Sequence, residues 1–298
     1  MKQKTIQKSF VLEGKGLHTG LFIRAVFNPS EENTGIRLCR IDLQGKPTHE
    51  VSTSLVSATE RGTVLASGEW RVSTVEHALS ALYALGITNC LIELDAPEMP
   101  ILDGSAKPFV EAVLAAGIKE QAAERKIWKV TERVEYTAQN GSSFVIEPAA
   151  QTAAEVEIHF PGVILHDQTA TLDNLDNYVA EISSARTFCF VREIQPLLER
   201  GLIKGGDLKN ALVIYEHPLT QEQMDNMTDM LGQPRQDASH LGYLQPLHFD
   251  NEPARHKLLD LIGDLSLTGV QIIGRIHASW PGHAANTEFA KYLINNII

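Results

Sequence analysis

The chain has 298 residues, 43% hydrophobic and 21% charged, a globular composition long enough for one large domain or two ordinary ones. Its formal net charge of −11 excludes a broad nucleic-acid surface, so no nucleic-acid partner is expected, and an anionic substrate would need local cations. Cys39, Cys90 and Cys189 are widely spaced, with neither CxxC metal spacing nor a disulfide framework, which points to a reducing compartment.

The first eight residues carry charge without an apolar run behind them, and no run approaches the roughly 18 apolar residues of a membrane span. A cytoplasmic protein with no membrane span is expected. Residues 5–12 and 21–27 read as strands, joined through Gly14-Lys15-Gly16-Leu17-His18-Thr19-Gly20. A helix is predicted over 73–85: Ser73 and Glu76 fit a capping box, Leu79, Leu82 and Leu85 supply an apolar stripe, and Gly86 ends it. A strand over 88–94, a loop through Pro97, Pro100 and Asp103-Gly104-Ser105, and a helix over 106–116 follow. The polar stretch 117–126 reads as a linker. Strands resume at 127–137, 142–148 and 153–160. Residues 183–190 lead into a short helix over 193–200, then a strand near 211–215, with 220–236 as a polar loop. Over 255–265 Leu258, Leu259, Leu261, Ile262 and Leu265 recur on one helical face. A strand over 270–278, the turn Trp280-Pro281-Gly282-His283 and a helix running to Ile298 complete the chain.

Residues 73–116 and 253–296 share one order of helix, glycine, apolar strand, Pro/Gly loop and helix, with His77 and His256 near the start of each first helix. The echo implies an α+β fold of two related domains, 1–126 and 127–298. Each would be an antiparallel-type sheet packed with two helices, the helices facing each other across the seam. His256 and Asp260, four apart, project from one side of their helix. If His77 meets them across the seam, two imidazoles and a carboxylate form the three-ligand shell of a catalytic zinc. A fourth position is left for water, whose pKa falls to about 7. Glu76 is then placed as the base for that water and His283 as the acid for the leaving group, with Asp264 orienting His283 and favouring its protonated form. Each residue also has an ordinary explanation alone: Glu76 as a cap, His77 as a buried helix histidine, His256 and Asp260 as polar groups on a solvated face. A non-catalytic, acyl-binding module with a structural metal is the competing reading, and it would normally show a closed, often cysteine-rich shell.

These segments resemble the UDP-3-O-acyl-N-acetylglucosamine deacetylases, zinc enzymes of the committed step of lipid A synthesis. The resemblance rests on 14–20, Thr74-Val75-Glu76-His77, Met99-Pro100-Ile101-Leu102-Asp103-Gly104-Ser105, Ala185-Arg186-Thr187-Phe188, Lys204-Gly205-Gly206, 256–264 and Gly282-His283-Ala284-Ala285-Asn286, in order over nearly the whole chain. It implies release of acetate from UDP-3-O-acyl-N-acetylglucosamine to leave UDP-3-O-acyl-glucosamine, with one zinc per chain on His77, His256 and Asp260. It implies Glu76 as general base, His283 as cationic acid, Asp264 as its partner, Thr187 as a hydroxyl polarising the acetyl carbonyl and Lys257 as a substrate-binding cation. Phe188 and Phe190 would be apolar substrate contacts, and Phe160 would stack on the uracil ring. Each domain would carry an insert. The second, around 188–209, would form an apolar passage for the acyl chain, lined by Ile194, Leu197, Leu198, Leu202 and Ile203, which ordinary core packing would explain equally well. Thr59-Glu60-Arg61-Gly62-Thr63 departs from the family's usual residues. Some lineages fuse this deacetylase to a hydroxyacyl-carrier-protein dehydratase domain, and the apolar end Asn295-Asn296-Ile297-Ile298 fits the front part of such a fusion.

Overall fold

Two five-stranded sheets repeat one connectivity. The first runs Phe10–Lys15, Phe22–Pro29, Cys90–Leu94, Ile36–Arg40, Thr48–Glu50 in space; the second runs Val134–Thr137, Ser143–Glu147, Arg275–Ser279, Ala153–Ile158, Gln168–Leu172. In both, the third and fourth strands are parallel and every other pair is antiparallel. The structure, a computed structural model, describes all residues except 218, 231–233, 236 and 238–241, and omits the side chains of 195, 198, 227 and 230.

Among the described residues the helices are α1 (Glu76–Ala84), α2 (Lys107–Ala116), α3 (Tyr178–Glu181), α4 (Val191–Glu199), α5 (Gln221–Met230), α6 (Glu252–Leu265) and α7 (His283–Asn296). Helix α1 packs on α2 and α6 on α7, and α1 meets α6 at the centre, so helices face each other across the seam as expected. The stripe residues Leu79, Leu82, Leu258, Leu259, Leu261 and Leu265 are all buried in one core shared by both halves. Each such side chain contributes about 2 kcal/mol by leaving water. Gly263 sets how near the two helices come, because a Cβ there would stand 2.3 Å from the Glu76 carbonyl oxygen. The buried Ser80 hydroxyl adds a polar tie, donating to the Leu259 carbonyl at 2.8 Å and lying 2.7 Å from the Tyr178 hydroxyl.

Both halves carry inserts between their last sheet strand and central helix. The first holds the short strands Val56–Ala58, Val64–Ser67 and Trp70–Val72; the second holds Phe188–Phe190, Leu212–Tyr215 and Gly242–Tyr243 with α4 and α5. The second insert thus extends well beyond residue 209.

Several expected elements differ. The strand over 5–12 is two, Lys2–Ile6 and Phe10–Lys15, parted by exposed residues 7–9 and belonging to different sheets. The expected linker is the strand Ile118–Glu124, antiparallel to Lys2–Ile6; most of its side chains stay wet, so no apolar alternation marks it. Residues 127–137 and 270–278 each divide, and Ile127–Lys129 pairs in parallel with Gln271–Ile273 in a small sheet of its own. Helix α1 starts at Glu76 itself, with Val75 as its cap residue and Thr74 at φ 57, so Ser73 and Glu76 form no capping box. Polar α5 lies within the expected loop 220–236, of which 231–233 and 236 are outside the described residues.

Candidate metal centre

The seam gathers side chains from three helices. Helix α1 opens with Glu76 and His77, α6 presents His256, Asp260 and Asp264 on successive turns, and α7 opens with His283 behind the Gly282 cap. His77, His256 and Asp260 are 4%, 2% and 1% exposed, and one donor atom from each lies within 4.8 Å of the others. The Nε2 atoms of His256 and His77 stand 3.4 Å and 4.0 Å from Asp260 Oδ1. His256 Nδ1 is 3.0 Å from the Ala185 carbonyl, and donating there leaves the Nε2 lone pair free toward Asp260. Among the described residues, buried His77 Nδ1 and Asp260 Oδ1 have no hydrogen-bond partner.

Burial, reinforced by neighbouring His256, pushes the His77 imidazolium down to about 3, and burial also lowers His256. For Asp260 burial works toward protonation, but His256 and Lys257 outweigh it and hold the carboxyl well below the usual range. Two neutral imidazoles and one carboxylate are the donor state a divalent cation requires. Since buried unsatisfied polar atoms cost about 1–3 kcal/mol each, the donor set fits a metal ion better than it fits a packed core.

Beside this group lie an acid and a base. Glu76 Oε2 accepts the Thr63 N–H at 3.0 Å, and Oε1 is 4.0 Å from His283 Nε2. His283 Nδ1 meets Asp264 Oδ2 at 3.0 Å, while its Nε2 is 3.7 Å from Asp260 Oδ2. Fully buried Asp264 also accepts from the Thr63 hydroxyl and from the Asn286 amide at 2.9 Å. Burial pushes the Glu76 carboxyl up to about 7, against the pull of His283. Burial alone would lower His283, but Asp264 and then Asp260 raise it to about 9. A carboxyl poised near neutrality thus faces a protonated imidazole, the split that acid–base chemistry requires.

A cavity of about 340 Å³ opens onto these groups, and Thr187, Lys257, Phe160, Phe188 and Phe190 line it as well. The structure therefore brings ten of the sequence-predicted residues to one space, with Asp264 behind His283. Lys257 Nζ is 2.8 Å from Asp260 Oδ2 and 5.5 Å over the Phe188 ring. Phe160 packs against Phe188 and Phe190, with ring centroids 5.9 Å and 5.4 Å away. A smaller, largely apolar cavity of about 60 Å³ adjoins through Leu17, Arg61, Thr187 and Phe188, and includes Ile194, Leu197 and Ile203. Leu202 packs beside that group, and the side chain of Leu198 lies outside the described residues.

A family model described as "LpxC: UDP-3-O-acyl N-acetylglycosamine deacetylase" matches residues 3–230 and 237–295. The chain belongs to that family. It is 48% identical over 299 residues to the "Bifunctional enzyme LpxC/FabZ" of Porphyromonas gingivalis, covering 99% of this chain and 65% of that protein. The same figures against the bifunctional enzyme of Bacteroides thetaiotaomicron are 48% over 300 residues, 100% and 65%. The "UDP-3-O-acyl-N-acetylglucosamine deacetylase" of Bdellovibrio bacteriovorus is 36% identical over 290 residues, covering 97% of this chain and 88% of that one. The chain thus spans about 65% of the length of the bifunctional relatives it matches. The LpxC family is metal-dependent, and His77, His256 and Asp260 form a group able to hold the ion. No helix among the described residues is long and apolar enough to cross a membrane.

Three further residues had no role assigned from sequence alone. Thr63 ties Glu76 to Asp264, and Asn286 supports Asp264 from α7. Glu98, fully buried, accepts the backbone N–H groups of His18 and Thr19 and the hydroxyls of Thr19 and Thr74, which pins the glycine-rich turn beside the site. The available signal was an acid set between Pro97 and Pro100, inside the otherwise apolar run 96–102.

Proposed function

We propose that this chain hydrolyses the N-acetyl group of UDP-3-O-acyl-N-acetylglucosamine, the reaction of lipid A synthesis, with one zinc ion held by His77, His256 and Asp260. One observation carries the reading: a buried His77, His256 and Asp260 group, its Asp260 Oδ1 unpartnered among the described residues, lies between a carboxyl near neutrality and a protonated imidazole, in a chain of a deacetylase family. When bound, zinc supplies Lewis-acid polarisation of the acetyl carbonyl.

The chain's own side chains do the rest. Glu76 takes the proton of the attacking water as its oxygen bonds to the acetyl carbon. His283 gives its Nε2 proton to the amide nitrogen, so the C–N bond breaks to release a neutral amine and acetic acid, which gives up the water's second proton to solvent as acetate. Asp264 holds His283 Nδ1 and stabilises the charged ring. Thr187 offers its hydroxyl to the carbonyl oxygen and Lys257 its cation to the substrate. Phe160 stacks on uracil, Phe188 and Phe190 make apolar contacts, and the smaller cavity takes the acyl chain. The two sheet-and-helix units correspond to 1–126 and 127–298.

The test is acetate release from the acylated UDP-sugar with a chelator present and then with zinc restored. Release that stops and returns supports the reading; no release from folded protein with one zinc bound would shift the substrate to another acylated sugar nucleotide or amide. We further propose that the chain belongs to a longer polypeptide with a dehydratase domain, as the names of its bifunctional relatives support. A native band no larger than this chain on an immunoblot would refute that. Three free cysteines support a cytoplasmic location, which cell fractionation tests.

A further inference from the structure

The turn 59–63 forms a fixed post at the neck between the two cavities. Arg61 sits in the left-handed region at φ 62, a conformation that persists only where the surroundings impose it. Here they do. The His18 ring reaches the Arg61 carbonyl at 3.3 Å, holding the turn from the first half. Across the neck, the guanidinium forks onto Glu193 of α4, Nη1 to Oε2 at 3.0 Å and Nη2 to Oε1 at 2.9 Å. Neighbouring Glu60 pairs with Arg200 at 2.6 Å. Two ion pairs therefore fasten the first insert to the second, and Glu193 Oε2 is steadied by the Phe190 N–H at 3.3 Å.

Arg61 borders both the cavity in front of the metal group and the smaller cavity, whose other walls include Ile194, Leu197, Ile203 and Val213. A charged side chain at an apolar neck needs a reason. Glu193 balances the charge, so an alkyl chain can pass without meeting a bare ion. A guanidinium has five N–H donors, and among the described residues Glu193 engages two nitrogens, leaving three N–H groups for a ligand. An O-acyl chain entering this passage brings one hydrogen-bonding group at its head, the ester.

We propose that Arg61, held by Glu193, is a specificity-determining residue that receives the ester carbonyl oxygen of the substrate's 3-O-acyl group at this neck. The inference rests on the deacetylase reading above. Arg61 does not touch the reacting amide, so its effect falls on discrimination between acylated and unacylated substrates and on KM more than on kcat.

The experiment uses the zinc-loaded full chain. It compares kcat/KM for UDP-3-O-acyl-N-acetylglucosamine with kcat/KM for UDP-N-acetylglucosamine, in wild type and in Arg61→Leu. The expected result is a fall of the acylated-to-unacylated ratio by about tenfold to a hundredfold, the value of a hydrogen bond to a charged donor. The fall should appear mainly as a higher KM for the acylated substrate, with partial recovery in Arg61→Lys. Glu193→Gln keeps the guanidinium but loosens it, and should lower the ratio less and in the same direction. It decides the question alone if Arg61→Leu does not fold, although a partly exposed ion pair is seldom essential to folding. An unchanged ratio, or equal losses on both substrates, overturns the proposal while leaving the deacetylase reading intact. A wild type that releases no acetate from the acylated substrate overturns both.

Discussion

Each central helix opens with a buried glutamate, and the fold surrounds the two in opposite ways. Glu252, at the head of α6, receives Arg186 through Nε at 2.8 Å and Nη2 at 3.1 Å, and backbone N–H groups from Arg186 at 3.0 Å and His248 at 2.7 Å. Burial alone would raise its carboxyl, yet the Arg186 bonds hold it below the ordinary range. Glu76, at the head of α1, receives the Thr63 N–H and pairs with no lysine or arginine among the described residues, and burial pushes it up to about 7. The glutamate at the head of one central helix is thus an anchor, and the one at the head of the other is left near neutrality, as the proposed base requires. Glu252 ties down Arg186, the residue before Thr187, and so steadies the cavity wall. The duplicated sheets hold both helix heads in place, and the two glutamates differ in whether, among the described residues, an arginine or lysine reaches them.

Changes that strike the open side of this comparison should cost the most. Asp260→Ala removes one of the three proposed metal donors; acetate release should fall by about a thousandfold or more, the scale of several kcal/mol of transition-state stabilisation. Bound metal, measured by atomic emission, should fall with it, and a variant that kept one ion per chain would remove Asp260 from the donor set. His283→Ala should keep the metal and lose about 10²–10⁴ in turnover, the usual contribution of a proton donor. Full activity there would end its assignment as the acid. Gly263→Ala tests the seam. The added Cβ would meet the Glu76 carbonyl oxygen at 2.3 Å, so α1 and α6 must separate at Glu76 itself, one residue from Asp264 on the α6 side. Better helix propensity returns up to about 1 kcal/mol, which is smaller than the about 1–3 kcal/mol of overpacking. Displacing the base by about 1 Å should lower turnover by about a hundredfold, and a crystal structure showing Glu76 unmoved would refute that cause.

The parts of this arrangement that could be read in the sequence are those encoded locally or by repetition. Helix α6 was legible because five apolar residues follow one helical face, and its polar face followed from the same register. The meeting of His77 with His256 was legible through the internal echo and the family resemblance, since nothing near either residue names the other. Caps misled in both directions. Ser73 and Glu76 match a capping box but form none, whereas Thr220 and Gln223 form one, with Gln223 N to Thr220 Oγ1 at 3.2 Å and Thr220 N to Gln223 Oε1 at 2.9 Å, in a stretch read as loop. The strand Ile118–Glu124 was missed because its partner lies at the other end of the first half. Thr63 and Arg61 escaped for the same reason: their partners Asp264 and Glu193 are 201 and 132 residues away. Local pattern carries no information about such pairings.

The anchored glutamate gives the smallest effect and the one with the clearest sign. Glu252→Gln keeps the shape of the side chain but removes the charge opposite Arg186, so it should leave the chemistry nearly untouched and lower stability by about 2 kcal/mol at neutral pH, the value of hydrogen bonds to a charged group. The carboxyl is held lower in the folded chain than in the unfolded one, where an ordinary glutamate titrates near about 4.3. Its contribution is therefore complete above that unfolded value and disappears as pH falls through the folded value. Calorimetric Tm values for wild type and Glu252→Gln should differ most above about pH 5 and converge below about pH 4. A gap that stays constant from neutral to acid pH would mean that Glu252 holds α6 by packing alone. The contrast with Glu76 would then rest on proximity to the metal group and not on the presence of a cation.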